Sequence, residues 1–430
     1  MRRRAFLRSA AVAPLLALGG CRFSFEQGLF ADCTSASALL REPIVLRAWE
    51  GLRADRVWDM HAHLFGNGRS GGGIWVERDY DRPQSLGARV RHRFYMNGGC
   101  VGDDEDQLDQ GMVSRLLQVV DELPAGAKLM LLAFDFTFDD RGARREDLTT
   151  FSVPNAYARR IAQSRPERFE WIASVHPCRP DAVAQLEAAK AAGARAVKWL
   201  PPAMGIDLRA RKSLELYDAM KRLDIPLLVH VGEEQAVPGA RRHELANPLF
   251  LRAPLDRGVR VIAAHCATLG ESLDLDANAN PDKAPRVADF DLFVRLMEDR
   301  RYEGFLFGDL SAVTQANRAA YLPRLLGKRE WHGRLLNGSD YPLPGILPLF
   351  SLDALVRQSV LDEAAVPTLR KLRHANALLF DFVLKRNLRL GAARFPTSAF
   401  ETRGFFVKPG SDHLVRFSDS ESGLSGLTPA

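Results

Sequence analysis

The residues best suited to chemistry in this chain are histidines and an aspartate that end short apolar runs. His61 and His63 end the first run, two positions apart, and Asp59 precedes them by the same spacing. Side chains two positions apart on a strand point to one face, so these three are predicted to project together. Further apolar runs end in His230, His265, Asp340 and Lys198. Imidazole and carboxylate groups are ligands of divalent metal ions, so the pattern indicates a metal site.

The elements that must position these residues are strands buried on both faces. Continuous apolar runs are typical of a parallel sheet covered by helices, and eight alternations of strand and helix can be counted. The predicted strands are 57–64, 128–136, 170–175, 194–200, 225–230, 259–265, 304–310 and 334–340. Ligands at the carboxyl ends of several such strands are typical of a barrel whose sites lie on that face. The predicted fold is therefore α/β, a (β/α)8 TIM barrel.

Three segments lie outside this strand–helix alternation. Residues 65–102 are an insertion after the first strand, rich in glycine and arginine. Such an insertion opens onto the active face, so we expect a lid or a pocket wall. Residues 21–54 are a lead-in, the barrel spans 55–386, and 387–430 form a C-terminal extension without a clear period.

Composition and charge exclude one class of partner. The chain has 430 residues, 46% hydrophobic and 26% charged, which is enough to bury one large core. Its formal net charge is +6, and four of the arginines lie within residues 1–20, which contain no acid. The remaining +2 is not strongly basic, and no basic stripe with interleaved aromatic residues is present. We therefore expect a small-molecule substrate and no nucleic acid, and oligomeric state stays open.

Residues 1–20 are predicted to be a signal peptide. Arg3 and Arg4, followed shortly by Phe-Leu, resemble a twin-arginine signal, and the apolar stretch 10–18 is too short to span a bilayer. The stretch leads into Leu-Gly-Gly-Cys, which resembles a lipobox with Cys21 as the lipidation site. The protein would then be periplasmic or cell-envelope, with the lipid as its only membrane contact. A cleaved secretory peptide with an incidental cysteine is the alternative.

The other four cysteines contain no CxxC pair, which argues against a structural zinc site. In an oxidising compartment Cys33 and Cys100 could pair, because both lie in irregular segments. Cys178 and Cys266 sit beside predicted strand ends and are expected to be small buried residues.

A set of ordered motifs resembles the amidohydrolase superfamily. The resemblance covers about residues 55–386 and is closest to the amidohydrolase-related branch, which includes aminocarboxymuconate-semialdehyde decarboxylase and similar metal-dependent enzymes. The segments that carry it are 59–63 (DMHAH), 155–157 (NAY), 165–169 (RPERF), 193–198 (GARAVK), 225–230 (IPLLVH), 338–342 (GSDYP) and 376–380 (NALLF). The motifs are specific for the superfamily and do not specify one reaction.

The resemblance implies a divalent metal and assigns roles to several residues. The implied metal ligands are His61, His63, His230 and Asp340. Zinc accepts this nitrogen and oxygen set, with manganese as an alternative, and one ion is expected rather than two. Asp340 would also accept a proton, and His265 would act as a general acid or base or steady negative charge on the substrate.

The sequence leaves more than one role open for most of the other candidate residues. Asp59 is expected to be an orienting acid one layer deeper than the ligands, rather than a ligand. Lys198 either bridges two metals when carbamylated, as in two-metal relatives, or stands unmodified beside one metal. The branch often has a histidine soon after this lysine, and Trp199 here suggests an apolar pocket side.

His176 could enter the pocket. Arg241 and Arg242 could attract a carboxylate-bearing substrate, or be ordinary solvated charges.

The leading functional prediction is a metal-dependent hydrolase that uses a metal-activated water on an amide, ester or lactone carbonyl. The alternative is a non-oxidative decarboxylase of an unsaturated or aromatic acid on the same site. An arginine that reaches the metal-facing cavity and holds a second carboxylate would help to separate them. A binding protein without turnover is disfavoured, because no residue of the implied ligand set is missing.

Overall fold

The computed structural model describes residues 24–102, 105–237 and 242–407. Its eight parallel strands are β1 (Trp58–His63), β2 (Lys128–Leu132), β3 (Phe169–Ile172), β4 (Val197–Trp199), β5 (Leu227–Val229), β6 (Val261–Ala263), β7 (Leu306–Asp309) and β8 (Leu335–Leu336). The α-helices are α1 (Pro43–Trp49), α2 (Arg78–Asp81), α3 (Leu86–Gly98), α4 (Leu108–Asp121), α5 (Asn155–Ser164), α6 (Ala182–Ala191), α7 (Pro201–Met204), α8 (Arg211–Arg222), α9 (Arg252–Asp256), α10 (Asp289–Glu298), α11 (Leu322–Gly327), α12 (Leu352–Arg357), α13 (Val366–Ala375), α14 (Ala377–Asn387) and α15 (Arg403–Phe406).

The strands follow one another in chain order around the molecule. β1, β2 and β3 form one parallel sheet, and β4 to β8 form a second. Single parallel bridges join the two sheets, between Ala173 and Val197 at one seam and between Ala62 and Tyr341 at the other. This is the α/β barrel architecture that the sequence predicts, and the fold-class prediction is confirmed.

The strands end one to four residues earlier than the sequence predicts, and this places His230, His265 and Asp340 just beyond them. The ladder of β6 stops at Ala263, and His265 has a positive φ of 55°. Asp340, beyond β8, has a φ of 62°. A positive φ is uncommon for residues with a side chain and turns the backbone out of the strand. Both residues therefore leave the sheet and turn at its carboxyl edge.

The core follows from the alternation of apolar runs and amphipathic helices. All residues of β4, β5 and β6 are buried, as expected for strands covered on both sides. In α8 the buried Leu216, Tyr217 and Met220 follow the helical repeat, and Arg211 lies on the opposite, exposed face.

The lead-in and the extension belong to the same core as the barrel. Trp49 of α1 stacks on Phe382 of α14 with ring centroids 4.1 Å apart. Thr402 donates a hydrogen bond to the carbonyl of Trp58 at 2.5 Å, and Ala399 accepts one from the backbone of Asn337. The predicted boundaries near 55 and 386 therefore mark changes of sequence pattern rather than breaks in packing. The described part of the chain contains no helix that is both long and apolar enough to cross a membrane.

The insertion after β1 lies over the carboxyl ends of the strands. Its short strand Trp75–Val76 pairs antiparallel with Phe151–Ser152 from the loop after β2, and α3 follows. A disulfide between Cys33 and Cys100 ties the lead-in to the end of this insertion. Cys178 and Cys266 are free, and only Cys266 is fully buried.

Candidate active site

His61 stands at the floor of the site and contacts a carboxylate on each side of its ring. The last position of β7 is Asp309, whose Oδ2 lies 2.7 Å from Nδ1 of His61. On the other side, Nε2 of His61 lies 3.4 Å from Oδ1 of Asp340. The contact with Asp309 places a proton on Nδ1, so Nε2 keeps its lone pair free on the side of Asp340.

His63 completes a group of three donors with His61 and Asp340. Nε2 of His63 lies 2.9 Å from Oδ1 of Asp340, and donor atoms of all three residues lie within 4.8 Å of one another. Ligands at about 2.0–2.2 Å around a zinc ion stand roughly 3–3.5 Å apart in a tetrahedron. The spacings of this group fit a divalent cation.

The protonation states of the group also suit a metal. Burial lowers the pKa of His61, and nearby Lys198 lowers it further, so the imidazole is neutral. Burial acts to raise the pKa of Asp340, but His265, His61 and His63 together hold it well below its usual range. A neutral imidazole and an ionised carboxylate are the forms that bind metal.

Lys198 and Asp59 lie close to this group without joining it. Nζ of Lys198 lies 3.3 Å from Nε2 of His61, and burial lowers the pKa of this amine to about 8. Asp59 accepts hydrogen bonds from the backbone N–H groups of His61 and Ser339 at 3.1 and 2.8 Å. Burial nevertheless raises the pKa of Asp59 to about 6. Asp59 thus bridges β1 to the segment after β8 and orients the backbone of a ligand strand.

His265 lines the site through a network that includes Asp309. Nδ1 of His265 lies 2.8 Å from Oγ of Ser311, and this hydroxyl donates a short hydrogen bond to Asp309. His61, His265 and Asp309 form a second group of three donors within 4.8 Å. Burial lowers the pKa of His265 well below its ordinary value, so its ring is neutral.

His230 lies at the same edge but belongs to neither donor group among the described residues. Its ring centroid lies 5.2 Å from that of His265. Its Nδ1 lies 3.3 Å from Oε2 of Glu234, and its Nε2 lies 3.4 Å from the carbonyl of Glu233. Burial lowers the pKa of His230 to about 4. The prediction that it is a fourth metal ligand stays a prediction.

Several residues expected at the substrate pocket lie elsewhere. Both ring nitrogens of His176 are engaged by the backbone, through Met204 and Cys178, and the ring does not line the cavities described below. Trp199 packs on Tyr217 of α8 and donates to the carbonyl of Val175, so it faces the helices. These placements correct the expectation that both residues reach the pocket.

The predicted basic rim is only partly within the described residues. Arg242 is more than half exposed and pairs with Glu244 at 3.4 Å, as expected for a solvated charge. Arg241 and the predicted lipidation site Cys21 lie outside the described residues.

Four residues of the site were missed by sequence reasoning: Asp309, Ser311, Glu234 and Arg318. A signal existed for Asp309, because it is an acid one position before the end of the predicted seventh strand, much as Asp340 ends the eighth. The other three lie in loops, where no periodic pattern marks the direction of a side chain.

Two adjoining cavities open beside the donor group. The smaller, about 100 Å³, is bounded by His63 and Asp340 and otherwise mainly by apolar side chains, among them Phe65, Ile74 and Phe151. The larger, about 380 Å³, is lined by polar and apolar groups that include His265, Glu234, Arg318 and Phe94. Asp340, Tyr95, Ala236 and Leu343 border both cavities. Tyr95 and Phe94 come from α3, so the insertion forms a wall of the site.

An α/β barrel with histidines and aspartates gathered at the carboxyl ends of its strands, beside a cavity, is typical of metal-dependent barrel enzymes. Within that class the chain belongs to the amidohydrolase family, whose model matches residues 58–378. It is an enzyme of the amidohydrolase superfamily, a metal-dependent family that acts on small molecules. No curated protein matches the sequence.

The chain has low similarity to solved structures. An uncharacterised TIM-barrel protein from Bordetella bronchiseptica is 17% identical, with 73% of this chain and 94% of that one covered and a TM-score of 0.43. A protein described as a probable 2-pyrone-4,6-dicarboxylic acid hydrolase from Acinetobacter baumannii is 14% identical, with 77% and 97% covered and a TM-score of 0.40. The 5-carboxyvanillate decarboxylase from Sphingomonas paucimobilis is 11% identical, with 77% and 97% covered and a TM-score of 0.41.

Proposed function

We propose that this protein is a metal-dependent hydrolase of amide, ester or lactone carbonyls in small molecules. The observation that carries the proposal is the donor group of His61, His63 and Asp340, which borders both cavities through Asp340. His230 is the proposed fourth ligand, with zinc as the preferred ion. A bound divalent ion supplies Lewis acidity, which polarises a carbonyl group and makes water more acidic.

Two residues of the chain would move the protons of the reaction. Asp340 is ionised and accepts a proton from the attacking water as the water oxygen joins the carbonyl carbon. The hydrogen bond of His265 to Ser311 through Nδ1 leaves Nε2 as its second proton-transfer site. Nε2 of His265 would take this proton from Asp340 and deliver it to the leaving nitrogen or oxygen when the C–N or C–O bond breaks, so the products are a carboxylic acid and an amine or alcohol.

The test is a reaction in ¹⁸O-labelled water with zinc-loaded protein and a panel of amides, esters and lactones. Hydrolysis predicts one labelled oxygen in each product carboxylate, together with about one metal ion per chain by elemental analysis. His265→Ala is the matched variant, and it should give no product above background. Failure of every carbonyl substrate, with metal bound, would contradict the proposal.

A non-oxidative decarboxylase is the second candidate, and Arg318 favours it. This arginine lines the larger cavity and could hold a carboxylate there. In a decarboxylation the C–C bond to a carboxylate breaks, CO₂ leaves and a proton is delivered to the carbon. Release of CO₂ from unsaturated or aromatic acids, without ¹⁸O in the remaining product, would identify this reaction.

We also propose that the protein is exported and anchored to the cell envelope by a lipid on Cys21. The disulfide between Cys33 and Cys100 supports this, because disulfides persist in oxidising compartments. Fractionation of cells that produce the full chain should recover it with membranes, and Cys21→Ala should release it into a soluble fraction. An unchanged distribution of the variant would exclude lipidation at this residue.

A further inference from the structure

Arg318 is a buried arginine at the wall of the larger cavity, and two nitrogens of its guanidinium group are unpaired among the described residues. Its relative exposure is 6%, and its Nε and Nη1 atoms have no hydrogen-bond partner within the described part of the chain. It also makes no ion pair with any acid in the described ranges, although Glu234 and Asp340 line the same cavity. A buried charge without a partner is costly, so such a group is rarely kept without a ligand or a function.

Glu234 and Asp340, the two acids whose charges act most strongly on Arg318, are already engaged with other groups. Oε1 of Glu234 accepts hydrogen bonds from the backbone N–H groups of Ala236 and Val237, and Oε2 faces His230 at 3.3 Å. Asp340 contacts His61 and His63. Neither carboxylate turns to Arg318, so the guanidinium group remains available to a molecule in the cavity. Burial lowers the pKa of Arg318 from its ordinary value, which reflects the same lack of a direct partner.

The smaller cavity lies on the other side of Asp340 and is mainly apolar. Apart from His63 and Asp340, its wall consists mostly of apolar residues, including Leu64, Val76 and Val153. Its volume of about 100 Å³ is smaller than the closed apolar cavity of about 150 Å³ that binds benzene, but the cavity opens beside the donor group, so it suits a branched aliphatic group or a single ring that enters it in part.

We propose that the substrate carries a carboxylate that pairs with Arg318 and an apolar group that enters the smaller cavity, with the reacting carbonyl between them at Asp340. This assignment specifies the substrate of the proposed hydrolase. It rests on the proposed function only for the identity of the bond that is broken. The fork of Arg318 binds the two carboxylate oxygens, and Phe65, Ile74 and Phe151 surround the apolar end. The specificity of the site then depends on two separate surfaces joined at the donor group.

The experiment compares the binding of N-benzoylglycine and N-benzoylglycinamide to zinc-loaded protein by titration calorimetry. The two probes differ only at one end, which is a carboxylate in the first and a neutral amide in the second. Wild-type protein should bind the acid roughly tenfold to a hundredfold more tightly than the amide, because a charge-assisted bidentate contact is lost in the amide. Equal binding of the two probes, or no binding of the acid, would overturn the proposal.

Variants separate Arg318 from other sources of the preference. Arg318→Gln should remove the preference for the acid, and Arg318→Lys should retain only part of it, because lysine keeps the charge without the fork. Arg89→Gln, a change of an exposed arginine of α3 that does not line the cavity, should leave the preference within about twofold, because solvent screens an exposed charge. A preference that survives in Arg318→Gln would mean that the carboxylate binds the metal instead. Thermal unfolding checks that each variant is folded, and the wild-type comparison needs no variant.

The apolar end has its own probe, N-acetylglycine, which should bind at least tenfold more weakly than N-benzoylglycine because it leaves the smaller cavity unfilled. Equal affinity would contradict the second half of the assignment. Hydrolysis is followed separately. A preference for the acid that depends on Arg318, without product formation, leaves the binding assignment standing while the proposed hydrolysis fails. Hydrolysis of the acid and the amide at equal rates and with equal affinities would support the proposed hydrolysis and contradict the binding assignment.

Discussion

Oδ2 of Asp309 lies 2.7 Å from Nδ1 of His61, on the side of the ring opposite Asp340. A carboxylate at this position sets the tautomer of a ligand histidine and the direction of its free nitrogen. Asp309 therefore links β7 to β1 and prepares His61 to face the cavity. The backbone N–H of Ser311 also donates to Oδ1 of Asp309 at 2.7 Å, which holds the carboxylate in place.

The role of Asp309 predicts a loss of metal affinity in Asp309→Asn. The amide can accept from His61, but it carries no charge and cannot accept on both sides. We expect zinc to bind about 10–100-fold more weakly, measured by competition with a chelator. Asp289→Asn is the control, since Asp289 is a buried acid outside the donor groups and its pKa is raised by burial to about 7. Unchanged zinc affinity in Asp309→Asn would show that His61 does not depend on this contact.

Gly338 permits the close approach of the segment after β8 to β1. A Cβ atom at this position would lie 2.5 Å from Cβ of His61 and 3.0 Å from Oδ1 of Asp309. Gly338→Ala should therefore displace His61, weaken zinc binding and lower the free energy of unfolding by roughly 1–3 kcal/mol. Gly333→Ala is the matched change, because no described atom lies within 4 Å of its Cβ. Equal urea denaturation curves for the two variants would refute the steric argument.

His230 and His265 should respond differently to replacement by alanine. His230→Ala is expected to lose most of the bound metal without unfolding the barrel, because the residue lies at the active face above the core. Full metal content in this variant would mean that His61, His63 and Asp340 suffice. His265→Ala should keep the metal and lose turnover. Loss of metal in that variant would indicate a second ion at the group of His61, His265 and Asp309.

The disulfide should contribute to stability by restricting the unfolded chain. Cys33 and Cys100 are 67 residues apart, and a loop of this length corresponds to about 4 kcal/mol in the chain-entropy account. Cys33→Ser should lower the free energy of unfolding by about that amount, and a reducing agent should bring the wild type to the same level. Cys178→Ser, which changes a free cysteine, should differ from wild type by only about 0.5 kcal/mol. No effect of the reducing agent on wild type would mean that the bond does not form in solution.

The number and order of the barrel strands were the most predictable part of the molecule. Apolar runs of four to six residues mark strands buried on both faces, and all eight occur near their predicted places. His61 and His63 were predicted to share a face, and the structure gathers them with Asp340 around one position. The boundaries were too long, because a pattern of residue types does not show where His265 and Asp340 turn out of the ladder with positive φ.

The side-chain environment of the pocket was not predictable in the same way. His176 and Trp199 lie near the carboxyl ends of β3 and β4. The ring of His176 is nevertheless held by backbone groups, and Trp199 faces α8. Arg318 lies nine positions beyond Asp309, in a loop whose direction depends on packing against distant parts of the chain. The sequence could raise the question of an arginine in the cavity, but it could not identify which one reaches it.

The sequence by itself determined the barrel, the set of metal-type residues and their place at one edge, because hydrophobic periodicity and strand geometry are local properties. Only the tertiary structure decided that Asp309 orients His61, that two guanidinium nitrogens of buried Arg318 have no partner among the described residues, and that Asp340 lies between a mainly apolar cavity and one of mixed polarity. These relationships join residues that are far apart in the chain, and their distances depend on how the strands pack around the barrel. Local sequence patterns therefore predict the ligand residues, whereas the specificity of the pocket depends on tertiary packing.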